Sequence, residues 1–549
     1  MPGVALLYFL PNFIAGYSHE IPSLLLARNV AATDLFSFTD ALGRFLSTEG
    51  IRSMGVLSAA DGRLSALLFA ATSRQIAWDN LLGLAALSAF LTALAALPFW
   101  FAVRHVRGER TAWIATAVFA FLPLTWKQAL VLDNYHFAVL FLLLSIAAFL
   151  SLYRRYPKSA VLVAGLLFGA SLAAKDVFFI FVPWILFGYL WEHRERWKRG
   201  VGHLLIFLAA SGCIYLLPYA GDIRMLGYPV NQNLARVWPG AEEIGNEIYL
   251  HLYPDPYTYT QDRERFEREL IASLPSLPPV ERIQKEKILL NFGLGRQSAL
   301  RSVGNGFWLL LGDIPSFFHQ GTVGGFLLWL FLIPGFLTIW KERRRLAVHA
   351  VVLIASSFFI ISFVLHFSRE HLMDVSWILA FFVAAGIVSV SDALAHRWKK
   401  ISTAALSSFI AVVFSLHLLQ VDRIETGRLF RKPMVPETLA VASVIRQFPS
   451  DAVIAVPGHA NSAQQYALLS NRSIALFQPE TLEYLLQKGT LEEAFATYGV
   501  THAVLYPETL SRDMQRAIPG VTILPRERMP TVPAPAPGAA LRLLLHWIQ

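Results

Sequence analysis

Long apolar runs dominate the chain, broken at short intervals by clusters of charge. A helix needs roughly 20 mostly apolar residues to cross a bilayer. Runs near that length fall at 3–17, 81–103, 111–125, 134–153, 159–174, 177–191, 201–219, 323–340, 346–366, 374–390 and 402–419. The pattern predicts a polytopic α-helical membrane protein with about eleven transmembrane helices. Tilt or hairpin pairing would accommodate the shorter runs. Two stretches interrupt the rhythm, 18–80 and 220–322, and both are too long to be plain connections. In the first, SLLLARNVA and FTDALGRFLS read as amphipathic helices, and RLSALLFAATSRQIAW as a third lying along or dipping into the membrane. The second carries the aromatic, proline-rich HLYPDPYTYT and the charged face QDRERFEREL. It then reads as a helix, QKEKILLNFGLG, ended by glycine.

From about Val421 the period changes. DAVIAV, SIALF, THAVLYPE and VTIL are short β-type runs that alternate with helical stretches such as ANSAQQYALLS and TLEEAFATYG. That alternation predicts a small α/β domain outside the membrane. A proline-rich linker, PTVPAPAPG, precedes a last apolar strand, LRLLLHW. The expected organisation is therefore a membrane domain over 1–419, with its large loops at 18–80 and 220–322, and an α/β domain over 420–549.

Composition agrees, with 55% apolar and only 15% charged residues among 549. The net charge of +9 would suggest nucleic acid were it not for its placement. Arg104, Arg107 and Arg110 follow the second run; Arg154, Arg155 and Lys158 the fourth; Arg194, Arg196, Lys198 and Arg199 the sixth. Lys341, Arg343, Arg344 and Arg345 follow the eighth, and Arg397, Lys399 and Lys400 the tenth. Basic loops alternating with nearly neutral ones are the positive-inside signal of membrane topology. The charge thus marks the cytoplasmic side and predicts no nucleic-acid partner. It places 18–80, 220–322 and 420–549 outside. The first run contains Pro11 and lacks a basic lead-in, so it reads as a short anchor or as the remnant of a longer start, not as a cleaved signal. Cys213 is the only cysteine, which excludes an intrachain disulfide and a cysteine-based zinc site.

Candidate chemistry gathers where apolar helices meet water on the outer side. HEIPSLLLARN places Glu20 just after the first run, and LVLDNYHFAVLFLLL places Asp133 at the mouth of the fourth. Carboxylates there could take a proton from an attacking hydroxyl, orient an acceptor or hold a divalent metal ion; equally, they could cap helix ends. GLLFGASLAAKDVFFIFVPW reads as a membrane hairpin with Lys175 at its tip, followed by Asp176. Arg369 is the only Lys or Arg in the short outer loop HFSREHLMDVSW. Both cations could bind a phosphate, or anchor their helices at the interface. His19, His136, His251, His366 and His371 sit near the same interface and could join Glu20 or Asp133 on a metal. None has the i, i+4 spacing of a zinc protease. No P-loop, dinucleotide fingerprint or nucleophile elbow is present.

The order of these features resembles the bacterial GT-C superfamily of membrane glycosyltransferases, in particular the protein-mannosyltransferase and aminoarabinose-transferase-like group. An acidic loop follows the first run, an Asp opens the fourth, G-x-x-x-G-x-S-L-A-A-K lies in the next hairpin, and an Arg-bearing outer loop comes late. In that group the first outer loop reads Asp-Glu ahead of a helix carrying an Ala-Arg pair. Here His19 stands for the aspartate, Glu20 is retained and Arg28 completes the pair, while Asp34 or Asp40 could supply the carboxylate instead. The resemblance covers about 1–220 well and 323–420 loosely. It implies inverting transfer of a sugar from a polyprenyl-phosphate donor to an envelope acceptor (lipid, glycan or protein) outside the bacterial inner membrane. Asp133 would assist acceptor or metal binding, Lys175 and Arg369 would hold the donor phosphate, and the α/β domain would shape the acceptor side. A transporter or lipid flippase, and a non-catalytic membrane scaffold, are the alternatives that polytopic apolar chains allow.

Overall fold

The computed structural model describes residues 81–129, 135–220, 325–363, 373–398, 402–430, 434–457, 472–477 and 479–528, with a few single positions between 64 and 68, 223 and 276, and 466 and 470. The first apolar run, most of both large loops and the last apolar strand lie outside the described residues.

The apolar runs fold as helices: α1 (Leu81–Arg107), α2 (Glu109–Phe121), α3 (Pro123–Ala129), α4 (Tyr135–Leu152), α5 (Pro157–Ala174), α6 (Val182–Glu192) and α7 (Trp197–Leu216). A second set comprises α8 (Phe326–Glu342), α9 (Arg344–Phe363), α10 (Met373–Trp398) and α11 (Thr403–Phe430). Among the described residues, six helices are long and apolar enough to cross a membrane. Two expected spans are broken instead. The run 111–125 divides at Leu122, whose backbone is extended (φ −62°, ψ 133°) ahead of Pro123, as the residue before a proline tends to be. The run 177–191 opens as a 3₁₀ turn, Asp176–Phe181, before Pro183 starts α6. The last span overshoots its apolar run, because α11 continues as helix to Phe430.

Helices in lipid gain little from apolar contact alone, so close approach needs small residues and interhelical hydrogen bonds. Both occur here. A Cβ on Gly165 of α5 would lie 2.7 Å from the Phe207 carbonyl oxygen of α7, and one on Gly169 would collide with the Ser211 carbonyl. Ser211 donates to the Gly165 carbonyl at 2.9 Å, Ser145 to Ala164 at 2.8 Å and Ser171 to Ala138 at 2.8 Å, joining α4, α5 and α7. In the second set, Gly335 of α8 faces the Phe382 carbonyl of α10, and Gly386 of α10 faces the Phe331 carbonyl of α8. Thr338 donates across the same seam to Ser389 at 2.9 Å.

Ion pairs tie together the helix ends that border the basic loops. Arg107 at the end of α1 meets Glu342 at the end of α8 (2.9 Å). Arg110 at the start of α2 reaches Asp392 near the end of α10 (2.8 Å), the Ser407 hydroxyl (2.9 Å) and the Thr403 carbonyl (2.7 Å). Glu192, closing α6, takes Arg345 at 3.4 Å and His349 at 3.1 Å from α9. Exposed pairs of this kind contribute little stability each. Their value lies in placement, because every partner sits at the end that the basic loops share.

The C-terminal α/β unit begins after α11, with α12 (Met434–Arg446), β1 (Val453–Val456), β2 (Ser473–Leu476), α13 (Pro479–Lys488), α14 (Leu491–Tyr498), β3 (His502–Val504), α15 (Glu508–Ala517) and β4 (Thr522–Leu524). The strands form one parallel sheet in the order β2-β1-β3-β4, with Ile454 beside Ile474, Ala455 beside Ala503, and Ala503 beside Ile523. Its strands coincide with the four β-type runs read from the sequence, and α13 and α15 add helices that the reading lacked. Parallel strands need helical crossovers and covered faces, and the core is accordingly Phe477, Leu482, Leu485, Phe495, Tyr506 and Met514. Burial pushes the Tyr506 hydroxyl well above its usual pKa, so it stays protonated and donates to the Phe477 carbonyl at 2.9 Å.

Two predictions follow from this packing. Leucine at Gly335 or Gly386 forces α8 and α10 apart and should cost about 1–3 kcal/mol or more, seen as a lower Tm in detergent. Gly212→Ala, where an added Cβ meets nothing within 4 Å, should leave Tm unchanged; equal effects at all three sites would contradict the close seam. Half-buried His502 packs on Phe448 with ring centroids 4.5 Å apart, and burial lowers its pKa against an opposing pull from Asp451. The unfolded chain therefore binds the proton more readily, so this contribution to stability is full above pH ~6.5 and falls as the pH drops through and below that value. Amide-exchange protection of β3, corrected for intrinsic rates, should decline between pH 7 and 5.5, and more steeply than in His502→Asn.

Candidate functional site

At the end of the helical bundle away from the basic loops, α4 and α5 bring two sequence-predicted residues together. Helix α5 stops at Ala174 because Lys175 takes an extended conformation (φ −155°, ψ 114°), while its amide still donates to the Ser171 carbonyl at 3.0 Å. The chain then tightens into the 3₁₀ turn, with Phe178 N–H donating to the Lys175 carbonyl at 3.2 Å. One turn before, the Ser171 hydroxyl bonds to Ala138 of α4 and fixes the two helices in register.

This turn folds Lys175 inward. Its side chain is buried, at 9% exposure, and so is Asp176 at 3%; neither is without a partner. The hairpin tip is thus not a solvated anchor with a snorkelling stem. The Lys175 Nζ lies 5.0 Å from the centre of the Tyr135 ring, within the range of a cation–π interaction. Tyr135 opens α4, is itself buried, and packs against Phe178 with ring centroids 6.2 Å apart.

On another side Tyr135 lines a small cavity of about 20 Å³, together with Thr92 of α1, Thr125 of α3, His136 of α4 and Ser376 of α10. That space suits about one water molecule. His136 is buried, and its Nε2 sits 2.9 Å from the Ser88 hydroxyl of α1. It is an interior residue of the bundle, held by a serine, and not an exposed interfacial one. Thr92 donates to the Ser88 carbonyl at 3.0 Å, and buried Thr125 also lines the cavity.

Of the predicted site residues, the structure therefore joins Lys175 and His136 through Tyr135. Asp133 lies two positions ahead of Tyr135 in sequence, outside the described residues, as do His19, Glu20, Arg28, Asp34, Asp40 and Arg369. Among the described residues no group of three or more His, Cys, Asp or Glu side chains could hold a metal ion. Glu20 and Asp133, the residues expected to hold a metal ion, lie outside the described residues, and no step below passes through a metal. Sequence reasoning overlooked Tyr135, Ser88, Thr92, Thr125 and Ser376. Their only signal was a hydroxyl side chain within or at the edge of an apolar run.

No family model matches the chain, and no curated protein matches it. Solved structures do. The oligosaccharyltransferase of Archaeoglobus fulgidus, in complex with zinc and sulfate, aligns at a TM-score of 0.54 with 14% identity, covering 94% of this chain and 69% of that one. The same organism's oligosaccharyltransferase AglB, in complex with an inhibitory peptide and a dolichol-phosphate, aligns at 0.53 and 14%, covering 94% and 71%. ArnT from Cupriavidus metallidurans, bound to undecaprenyl phosphate, aligns at 0.51 and 10%, covering 95% and 88%. At such identities the likeness is one of fold, and it extends over nearly the whole chain. The chain is a polytopic helical membrane protein with the fold of these solved structures.

Proposed function

We propose that this protein transfers a sugar from a polyprenyl-phosphate donor to an acceptor hydroxyl at the extracytoplasmic face of a bacterial inner membrane, with inversion at the anomeric carbon. The observation that carries the reading is the buried Lys175 ammonium on Tyr135, at the bundle end away from the basic loops, in a chain with this fold. Positive-inside topology puts the basic loops in the cytoplasm, which puts Lys175, His136 and the α/β unit outside. Polar groups gathered at one end also fit a surface reaction better than a transport path, whose broken helices and charges belong near mid-membrane.

In the proposed step the acceptor oxygen attacks the anomeric carbon opposite the phosphate. The bond from that carbon to the phosphate oxygen breaks, and polyprenyl phosphate leaves with one more negative charge than it carried as a diester. A carboxylate takes the acceptor proton; Glu20 is the first choice for it, with Asp34 and Asp40 on the same loop as the others. Asp133 orients the acceptor, and Arg28 lies in the same outer loop as Glu20. Lys175 and Arg369 balance the charge that develops on the leaving phosphate, where a cation held in a low-dielectric site acts most strongly. The acceptor hydroxyl belongs to a lipid, a glycan or a protein side chain, and the assay below identifies both the sugar and the acceptor.

Reconstitution with radiolabelled polyprenyl-phosphate sugars tests this. Lys175→Ala, Asp133→Asn and at least one of Glu20→Gln, Asp34→Asn and Asp40→Asn should each lower transfer by about 10²-fold or more. Transfer that survives all of these changes removes the carboxylate and phosphate assignments.

A further inference from the structure

We propose that the basic loops joining α4 to α5 and α6 to α7 together bind the phosphate headgroup of an anionic phospholipid. Positive-inside topology makes this a site of the cytoplasmic leaflet.

The loops hold positive charge that no acid of the protein matches. The first carries Arg154, Arg155 and Lys158, and the second Arg194, Arg196, Lys198 and Arg199, all exposed. In the other basic loops Arg107 meets Glu342, Arg110 meets Asp392 and Arg345 meets Glu192. Among the described residues, no carboxylate pairs with a cation of these two loops. Glu192, which closes α6, is turned to Arg345 and His349 of α9. A surface of one sign at this density favours an anion.

Tertiary contacts make the two loops one surface. The Tyr153 hydroxyl, just after α4, lies 2.8 Å from His193 Nε2, just after α6. The buried His203 ring of α7 packs beside both, with centroids 6.0 Å from Tyr153 and 5.5 Å from His193. Gly200 admits the His193 side chain, which an added Cβ would meet at 2.6 Å. Lys158 from one loop and Arg199 from the other are both within electrostatic reach of His203. Cations distant along the chain thus converge where α5 and α7 begin.

The surroundings suit a lipid better than a soluble anion. Trp197 opens α7 at 61% exposure and Tyr156 precedes α5, also exposed; such rings settle at headgroup depth. Leu162 and Leu166 follow Lys158 on α5 at helical spacing, as Leu205 and Leu208 follow Lys198 on α7, and all four are exposed. A molecule with a phosphate at the cations and alkyl chains along these leucines satisfies both features, whereas inorganic phosphate satisfies only the first. Basic surfaces between membrane helices recognise anionic headgroups by this combination.

The test titrates phosphatidylglycerol or phosphatidylcholine into the full chain in neutral detergent and counts bound lipid by native mass spectrometry. Wild type should retain phosphatidylglycerol and release phosphatidylcholine. Lys158→Gln/Lys198→Gln/Arg199→Gln should bind phosphatidylglycerol at least about tenfold more weakly, since each cation near the headgroup contributes. Lys341→Gln/Arg343→Gln/Arg344→Gln, which removes the same charge from the loop between α8 and α9, should bind as wild type does. Equal loss in both variants reduces the site to unspecific attraction and overturns it, as does equal retention of the two lipids. Displacement by inorganic phosphate assigns the cations to a soluble anion and overturns the lipid. Should the first variant melt lower in lipid-free detergent, wild type decides: its affinity should fall steeply as salt rises, and an affinity indifferent to salt refutes the proposal.

Discussion

Lipid is as apolar as leucine, so the helices of this bundle gain nothing from oily side chains that they would not find in the bilayer. What holds them is backbone brought close to backbone. Gly165 and Gly169 let α5 press against α7, and Gly335 and Gly386 do the same for α8 and α10. Serine hydroxyls then donate across the gaps to carbonyls on the neighbouring helix. Remaining features of the membrane part rest on this geometry. It leaves large apolar side chains such as Phe409, Leu416 and Leu205 facing outward, as a bilayer requires.

The two ends of the bundle have different chemistry. At the end with the basic loops, arginines are matched to Glu342, Asp392 and Glu192 in partly exposed pairs. At the other end a lysine and an aspartate are drawn inside, beside a buried tyrosine, a buried histidine and a ring of hydroxyl side chains. Burying ionised groups is costly, and membrane proteins keep such groups mainly where they are used. The packing of α4 on α5 thus sets where Lys175 stands in the transfer chemistry proposed for this face.

Much of the fold was legible along the chain. Apolar runs marked the helices, because a span must be apolar over a length set by the bilayer. The strands after Val421 were visible as short β-type runs, since a parallel sheet is apolar on both faces. Breaks inside two runs, at Leu122 and at Asp176–Phe181, were not visible, because a proline only biases its neighbours and packing decides whether the helix continues. The site was legible only in part. Lys175 and His136 stood out as polar residues in apolar surroundings, whereas Tyr135 and the hydroxyl residues look like ordinary interface or helix positions until other helices are laid against them.

The sequence by itself determined that the chain inhabits a membrane, which helix ends share a side, and that short β-type runs follow the last span. These are properties of hydropathy, charge and period, each readable over a window of local residues. Only the tertiary structure decided that Lys175 turns inward onto Tyr135, that His136 is held by Ser88, and that five separate helices contribute to one small cavity. Those facts depend on residues as far apart as Thr92 and Ser376 lining one space, set by how helices cross, and a crossing leaves no periodic trace in either strand of sequence that takes part in it.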